Sequence, residues 1–337
     1  MGVGLKEILE YETIDLSSLS QKKIAIDSYN MLYQFVSSIR QSDGNPLMDS
    51  KGEITSHLKG VFNRCVYFKK NNIKPIFVFD GEAPLLKQKE RENRAQKKAE
   101  ADKKFREAVD MGLMDEARKH AVGTSKLTSD MVEEAQELIR AFGFPIVYAP
   151  SEGEAQAADL VKKQKAFASA SQDFDSLLFG APILIRNISV SSKRKIPGTS
   201  QYRDVDIEYY DLNKNLERLN ITRDELIIVA LLTGTDFNPG GIKGIGPKKG
   251  IKLVKEYKDK WNELFRVLDW HSYFNYTWVE VYNTFRKMPI EEDVEIEFSS
   301  IDKNKVKEIL TRRDFDEKMI DRSLSGIKNL KTLDSFF

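Results

Sequence analysis

Short apolar runs alternate with amphipathic stretches through the first two-thirds of the chain. Lys23-Ile-Ala-Ile-Asp27 is a buried strand ending in an acid. The following SYNMLYQFVSSIR carries Met31, Leu32, Phe35, Val36 and Ile39 at helical spacing. A loop rich in turn formers over residues 41–52 leads to a second amphipathic helix over 54–71, then to Pro75-Ile-Phe-Val-Phe-Asp80, another apolar run closed by an acid. Phe144-Pro-Ile-Val-Tyr148, Phe167-Ala-Ser-Ala-Ser171 and Pro182-Ile-Leu-Ile-Arg186 supply three further strands, and residues 205–210 a sixth. Strands alternating with helices predict an α/β fold, a mostly parallel central sheet with helices on both faces.

The pattern breaks between residues 81 and 128. KQKERENRAQKKAEADKKFREA has strong helix formers and almost no apolar stripe, so it belongs outside the core as a helical insertion. Taken alone, such a charge run reads as a solvated, salt-bridged surface helix. Amphipathic spacing returns over 128–142. After a helix over 223–232 comes GTDFNPGGIKGIGPKKG, a further helix over 248–257, and a helical remainder containing Trp261, Trp270 and Trp278. The expected organisation is one domain over 1–329 and a tail over 330–337.

Composition changes this picture little. The 337 residues carry a formal net charge of +1, so overall charge says nothing about a polyanionic partner and only its distribution can. A single cysteine, Cys65, excludes an internal disulfide framework and suits a reducing compartment. No apolar run is long enough to span a bilayer and no secretory pattern is present, so a soluble, intracellular, cytoplasmic protein without a membrane partner is expected. His57, His120 and His271 are scattered, with no metal-ligand spacing.

The acids carry the chemistry. Asp27, Asp80, Glu152 with Glu154, and Asp173 with Asp175 each follow a predicted strand. In an open parallel sheet the strand C-termini share one edge, where ligands of α/β folds bind, so these side chains should converge. Asp236, beside Gly234 after an apolar helix, joins them. Each pair has a structural reading: Ser151 with Glu154 is a capping-box pattern, and QDFD suits a turn. Gathered together, however, the acids cannot all stay ionised near neutral pH without cations. An all-oxygen set favours Mg²⁺ or Mn²⁺, and a carboxylate-rich two-ion site suits phosphodiester hydrolysis. In the second motif, Gly244 and Gly246 let backbone N–H groups approach a phosphate at a helix start while Lys248, Lys249 and Lys252 add charge. Its structural reading is a glycine-rich helix cap.

AIDSYNMLYQF, PIFVFDG, APSEGEAQAA, SQDFDSLLFG, GTDF and IKGIGPKKG, in that order over nearly the whole chain, resemble the flap endonuclease family of structure-specific 5′ nucleases in its archaeal and eukaryotic form. The resemblance implies a monomer that hydrolyses 5′ flaps of branched double-stranded DNA near the single-strand/double-strand junction, with 5′ exonuclease activity, in DNA replication and repair. It implies that the metal ligands are Asp27, Asp80, Glu152, Glu154, Asp173, Asp175 and Asp236, holding two Mg²⁺ with Mn²⁺ as a substitute. The insertion over 81–128 then matches the helical arch or clamp, with Lys87 and Arg94 as a basic catalytic pair two turns apart on one helical face. Tyr33 matches an aromatic that stacks on the terminal unpaired base, and its structural reading is a core aromatic. Residues 226–257 match a helix–two-turn–helix that grips duplex through Gly244, Gly246, Lys248 and Lys249 and binds K⁺ through carbonyls, assigned to Ile242 and Ile245. Arg40, Thr55 and Arg64 match positions contacting the duplex or a 3′ flap. The tail is similar to a sliding-clamp-binding peptide, with Leu333, Phe336 and Phe337 as anchors and Leu330 in place of the usual Gln. No nuclear-targeting tail is evident.

Two other functions compete on sequence grounds: a phosphomonoesterase with Asp173 as nucleophile, and a non-catalytic branched-DNA scaffold. The first leaves Asp27, Asp80 and the glycine turn without a role. The second gains nothing from acids that repel phosphate.

Overall fold

The computed structural model describes residues 4–41, 44–87, 126–188 and 202–327, with isolated positions between 96 and 111 and the backbone of Lys193–Lys195. Arg94 and the tail over 330–337, with Leu333, Phe336 and Phe337, lie outside the described residues, as does most of the insertion.

A seven-stranded sheet organises the described residues. Its strands are β1 (Glu12–Ile14), β2 (Lys23–Asp27), β3 (Lys74–Phe79), β4 (Ile146–Tyr148), β5 (Ala168–Ala170), β6 (Ile183–Arg186) and β9 (Ile207–Asp211), in spatial order β1-β9-β6-β5-β2-β3-β4. Strands β6, β5, β2, β3 and β4 are parallel neighbours, whereas β9 runs antiparallel to both β6 and β1. Strands β7 (Lys193–Lys195) and β8 (Tyr202–Asp204) form a separate antiparallel hairpin. Central β2 and β3 are almost wholly buried and read as continuous apolar runs, as expected for strands covered on both faces.

On one face, α1 (Ser28–Ser38), α2 (Ser56–Lys70) and α3 (Ser129–Ala141) bury Phe35, Phe62, Phe68 and Leu138 against the sheet. Gly60 lets the first two of these helices approach: a Cβ there would lie 2.1 Å from the Phe35 ring. On the other face, α4 (Gly153–Lys162) uses Ala157, Leu160 and Val161 to cover Ala25, Ile76 and Val78. Beyond it come the one-turn α5 (Asp175–Leu178), α6 (Leu212–Leu219) and α7 (Arg223–Thr233), the last wholly apolar through residues 226–232 and capped by a Thr222–Glu225 box. The chain continues through α8 (Pro247–Tyr257), α9 (Trp261–Val267), α10 (Trp278–Arg286), α11 (Lys303–Thr311) and α12 (Glu317–Ser325). None of the described helices is long and apolar enough to cross a membrane.

Candidate active site

Each acid of interest sits just beyond, or at the end of, a strand or helix, and the local backbone aims it. Asp27 closes β2 and caps α1, its Oδ1 accepting the Asn30 N–H at 3.0 Å. Asn30 also donates through Nδ2 to Asp173 Oδ2 at 2.9 Å, so one residue near the start of α1 ties the ends of β2 and β5 together through its backbone and its side chain. Ser171 repeats the link. Its Oγ donates to Asp27 Oδ2 at 3.3 Å and accepts the Asp173 N–H at 3.2 Å.

Asp80 follows β3, and its Oδ1 accepts the Gly153 N–H at 2.8 Å, a carboxylate on the first turn of α4. Only a glycine permits that approach: a Cβ on residue 153 would stand 2.6 Å from Asp80 Oδ1. Glu152 is the N-cap of α4 and Glu154 lies in its first turn. Asp236 projects from a buried turn in which Asn238 accepts the Thr235 hydroxyl at 2.7 Å and donates to the Leu231 carbonyl at 2.7 Å.

The charges meet. Burial, then the Asp80 charge, pushes the Asp27 carboxyl up to about 8, with Asp173 adding to the shift. Burial, followed by Asp175, Asp27 and Asp173, drives Glu154 well above the carboxylate range, and its Oε1 has no hydrogen-bond partner. Burial also raises Glu152, opposed by a cation: Lys87 Nζ lies 2.6 Å from Glu152 Oε2 and 3.7 Å from Asp236 Oδ2. Burial alone would lower the Lys87 ammonium, but Glu152, Asp236 and Asp80 outweigh it and hold it above the usual lysine range. All seven sequence-predicted acids and Lys87 therefore belong to one electrostatic unit.

Among the described residues, no three His, Cys, Asp or Glu side chains are gathered tightly enough around one point to ligate an ion as placed. The donor set nonetheless fits hard divalent cations. It is all oxygen, burial and neighbouring acids raise Asp27 and Glu154, and Glu154 Oε1 is a buried acceptor without a donor. The Lys87 ammonium supplies part of the missing positive charge.

The other sequence-predicted residues are spread over the molecule. Tyr33 lies on α1 and is 50% exposed, which removes its reading as a core aromatic. Gly244 takes φ +81 with open space around its Cβ direction, and Gly246 is the N-cap of α8, where Lys248 and Lys249 are exposed on the first turn. Ile242 and Ile245 bury their side chains in the α7–α8 core. Three further positions make contacts within the protein. Arg40 braces its own loop, donating to the Ser37 and Gly44 carbonyls at 2.9 Å each. Thr55 is buried at the start of α2. Half-buried Arg64 donates to the Ile188 carbonyl at 2.9 Å and packs over Tyr67.

Sequence reasoning missed Asn30 and Ser171, which hold Asp27 and Asp173, and Asn238, which braces the turn carrying Asp236. It also missed Arg186, which lies over Phe174, pairs with Glu208 at 2.9 Å and donates to the Gln172 carbonyl at 3.1 Å, beside Asp173. The legible signal was an amide or hydroxyl two or three residues from Asp27, Asp173 and Asp236. Nothing in the pattern distinguishes those from ordinary turn residues.

Comparison with known proteins follows the same residues. The XPG N-terminal domain matches residues 1–101 and the XPG I-region matches residues 143–236. A flap endonuclease 1 of Aeropyrum pernix is 46% identical over 97% of this chain and 94% of its own length. That of Pyrococcus furiosus is 43% identical over 100% and 99%. Among solved structures, flap endonuclease-1 from Methanococcus jannaschii superposes with a TM-score of 0.74 at 38% identity, covering 97% of this chain and 98% of its own. The catalytic core of Rad2 in complex with DNA substrate shares the fold alone, with a TM-score of 0.71 at 23% identity over 97% and 100%.

Proposed function

We propose a specific division of labour for this chain, which belongs to the flap endonuclease family of XPG nucleases and is a metal-dependent DNA endonuclease of replication and repair. Its substrate is branched double-stranded DNA bearing a 5′ flap, cut near the single-strand/double-strand junction. The observation that carries this reading is the single electrostatic unit of seven acids and Lys87 at the strand ends.

Asp27, Asp80, Glu152, Glu154, Asp173, Asp175 and Asp236 would hold two Mg²⁺, or Mn²⁺ in their place. Divalent ions there supply Lewis-acid stabilisation of the charge that develops on a phosphodiester during hydrolysis. Asp27 and Asp173 are held at a fixed separation by Asn30 and Ser171, and Asp80 by the first turn of α4, so the donors are oriented before substrate arrives. The Lys87 ammonium, kept charged by its acidic neighbours, moves from Glu152 to the scissile phosphate, with Arg94 as its partner on the same insertion. Tyr33 stacks on the unpaired base at the junction. The turn around Gly244 and Gly246, with Lys248 and Lys249, grips the uncleaved duplex; K⁺ on the Ile242 and Ile245 carbonyls would complete that grip. Residues 330–337 dock on a sliding clamp through Leu333, Phe336 and Phe337. The protein would act inside the cell, as a monomer.

An end-labelled 5′-flap duplex, incubated with Mg²⁺ or EDTA, tests the reading. Wild type gives one Mg²⁺-dependent cut near the junction, and Asp173→Ala binds the same DNA without cutting it. Release of a terminal phosphate without strand cleavage would instead establish the phosphomonoesterase. Tight branched-DNA binding with no cut under any divalent metal would establish the scaffold.

A further inference from the structure

Beside the acidic edge lies a group of tyrosines that the chemistry above uses only in part. Tyr29 and Tyr33 occupy successive turns of α1. Tyr148 is the register partner of Phe79 across β3 and β4, and Phe79 immediately precedes Asp80. The Phe79 ring centroid is 5.8 Å from that of Tyr29 and 6.3 Å from that of Tyr148. The Tyr29 hydroxyl is raised first by burial and then by Asp80, Tyr33 and Tyr148, which puts all three within electrostatic reach of one atom.

Tyr148 is 51% exposed, as open as Tyr33. An exposed tyrosine ordinarily samples several rotamers, but this one is pinned at its tip. Its hydroxyl accepts from Arg140 Nη2 and donates to Gln136 Oε1 at 2.8 Å, two residues on adjacent turns of α3. The Phe79 ring flanks it, tilted by 37°. The result is an aromatic surface held rigid at little further entropic cost, next to a guanidinium and close to a phosphodiester-cleaving centre. Aromatic rings interleaved with cations are how proteins bind single-stranded nucleic acid, because every base has a π-face and every nucleotide a phosphate.

We propose that Tyr148, oriented by Arg140 and Gln136, is a second stacking residue for an unpaired base of the 5′ single strand, in addition to Tyr33. The inference rests on the flap reading above. It makes β4, the outer strand of the sheet, part of the path of the single strand. Tyr148 is a binding residue here and takes no part in bond cleavage.

Binding measured with Ca²⁺ in place of Mg²⁺, by fluorescence anisotropy, separates this role from catalysis. The probes are a nicked duplex without a flap and the same duplex carrying a single-stranded thymine flap. Tyr148→Leu keeps the apolar cover over Phe79 and removes the stack; Tyr148→Phe keeps the stack and removes the hydroxyl anchors. Tyr148→Leu is expected to bind the flapped probe about tenfold more weakly with unchanged affinity for the nick, as loss of one base–aromatic stack predicts. Tyr148→Phe keeps the ring but loses its anchors and falls between wild type and Tyr148→Leu, and a 2-aminopurine placed in the flap is quenched by wild type and brighter with Tyr148→Leu. Equal flap affinity in wild type and Tyr148→Leu overturns the proposal, as does an equal loss on both probes, which would mark a structural role. A wild type that neither prefers the flap nor cuts it with Mg²⁺ sinks the flap reading and the proposal together.

Discussion

The acidic strand-end edge and the glycine–lysine turn before α8 handle charge in opposite ways. At the edge, carboxylates are buried or half-buried, Asp27, Asp80 and Asp173 are held by named donors, and burial with neighbouring charges raises Asp27 and Glu154. At the turn, Lys248 and Lys249 stand exposed, and the space around Gly244 and Gly246 is open. Charges in low dielectric interact strongly and as a unit, whereas exposed charges are screened and act nearly independently. Substitutions at the edge should therefore be all-or-none, and those at the turn graded and additive.

The contrast is sharpest at Lys87, which pairs with Glu152 and Asp236 at the edge. Lys87→Ala should lower single-turnover cleavage by about 10²–10³-fold, the usual cost of one electrostatic donor at a reacting phosphate, with DNA affinity little changed. A drop confined to KM would move Lys87 from chemistry to binding. Gly153→Ala comes next. Its Cβ would press on Asp80 Oδ1, and displacing that carboxylate should cost up to about 10²-fold in rate while the protein still folds. Unchanged cleavage would show that Asp80 tolerates a different orientation.

A pH titration tests the repulsion itself. A carboxyl whose folded-state pKa is raised binds its proton more tightly when folded, so it favours folding at low pH and opposes it once both states are ionised. With Asp27 pushed up to about 8, the metal-free protein should lose thermal stability as pH rises from about 4 to about 8. Mg²⁺ should restore more of that stability at the upper end of the window than at the lower, as scanning calorimetry would register. A melting temperature indifferent to Mg²⁺ at both ends would mean the acids do not hold the ion. The smallest effect belongs to the turn. Lys248→Ala and Lys249→Ala should each weaken DNA binding modestly and reduce the slope of log K against log salt by about one, additively in the double variant. Marked non-additivity would break the comparison.

Much of the edge was legible because it depends on two local regularities, apolar runs of strand length and the acid that ends them. The six predicted strands all form, within a residue or two of their expected ends. Strand β1 escaped because three residues, two of them exposed, carry no periodicity, and its pairing with β9 is decided elsewhere in the chain. The β7–β8 hairpin escaped because its segments are short and charged. Arg40, Thr55 and Arg64 show the converse limit. Their residue types suit DNA contact, and nothing in the pattern shows that Arg40 also braces its loop, that Thr55 is buried, or that Arg64 also holds the Ile188 carbonyl after β6.

By itself the sequence determined which residues could serve: acids at strand ends, glycines before a basic helix, and helices with one apolar face, since these follow from local propensity and periodicity. Only the tertiary structure decided which of them act together. Strand order set β5 beside β2 and β2 beside β3, bringing Asp173, Asp27 and Asp80 to one edge, and it let Asn30 span two of them. It also stood Lys87 among the carboxylates and Tyr148 beside Phe79. Those neighbours are remote in sequence, and the forces that select them, burial of the sheet's two faces and the balance of charge in a low-dielectric cleft, exist only once the chain has closed on itself.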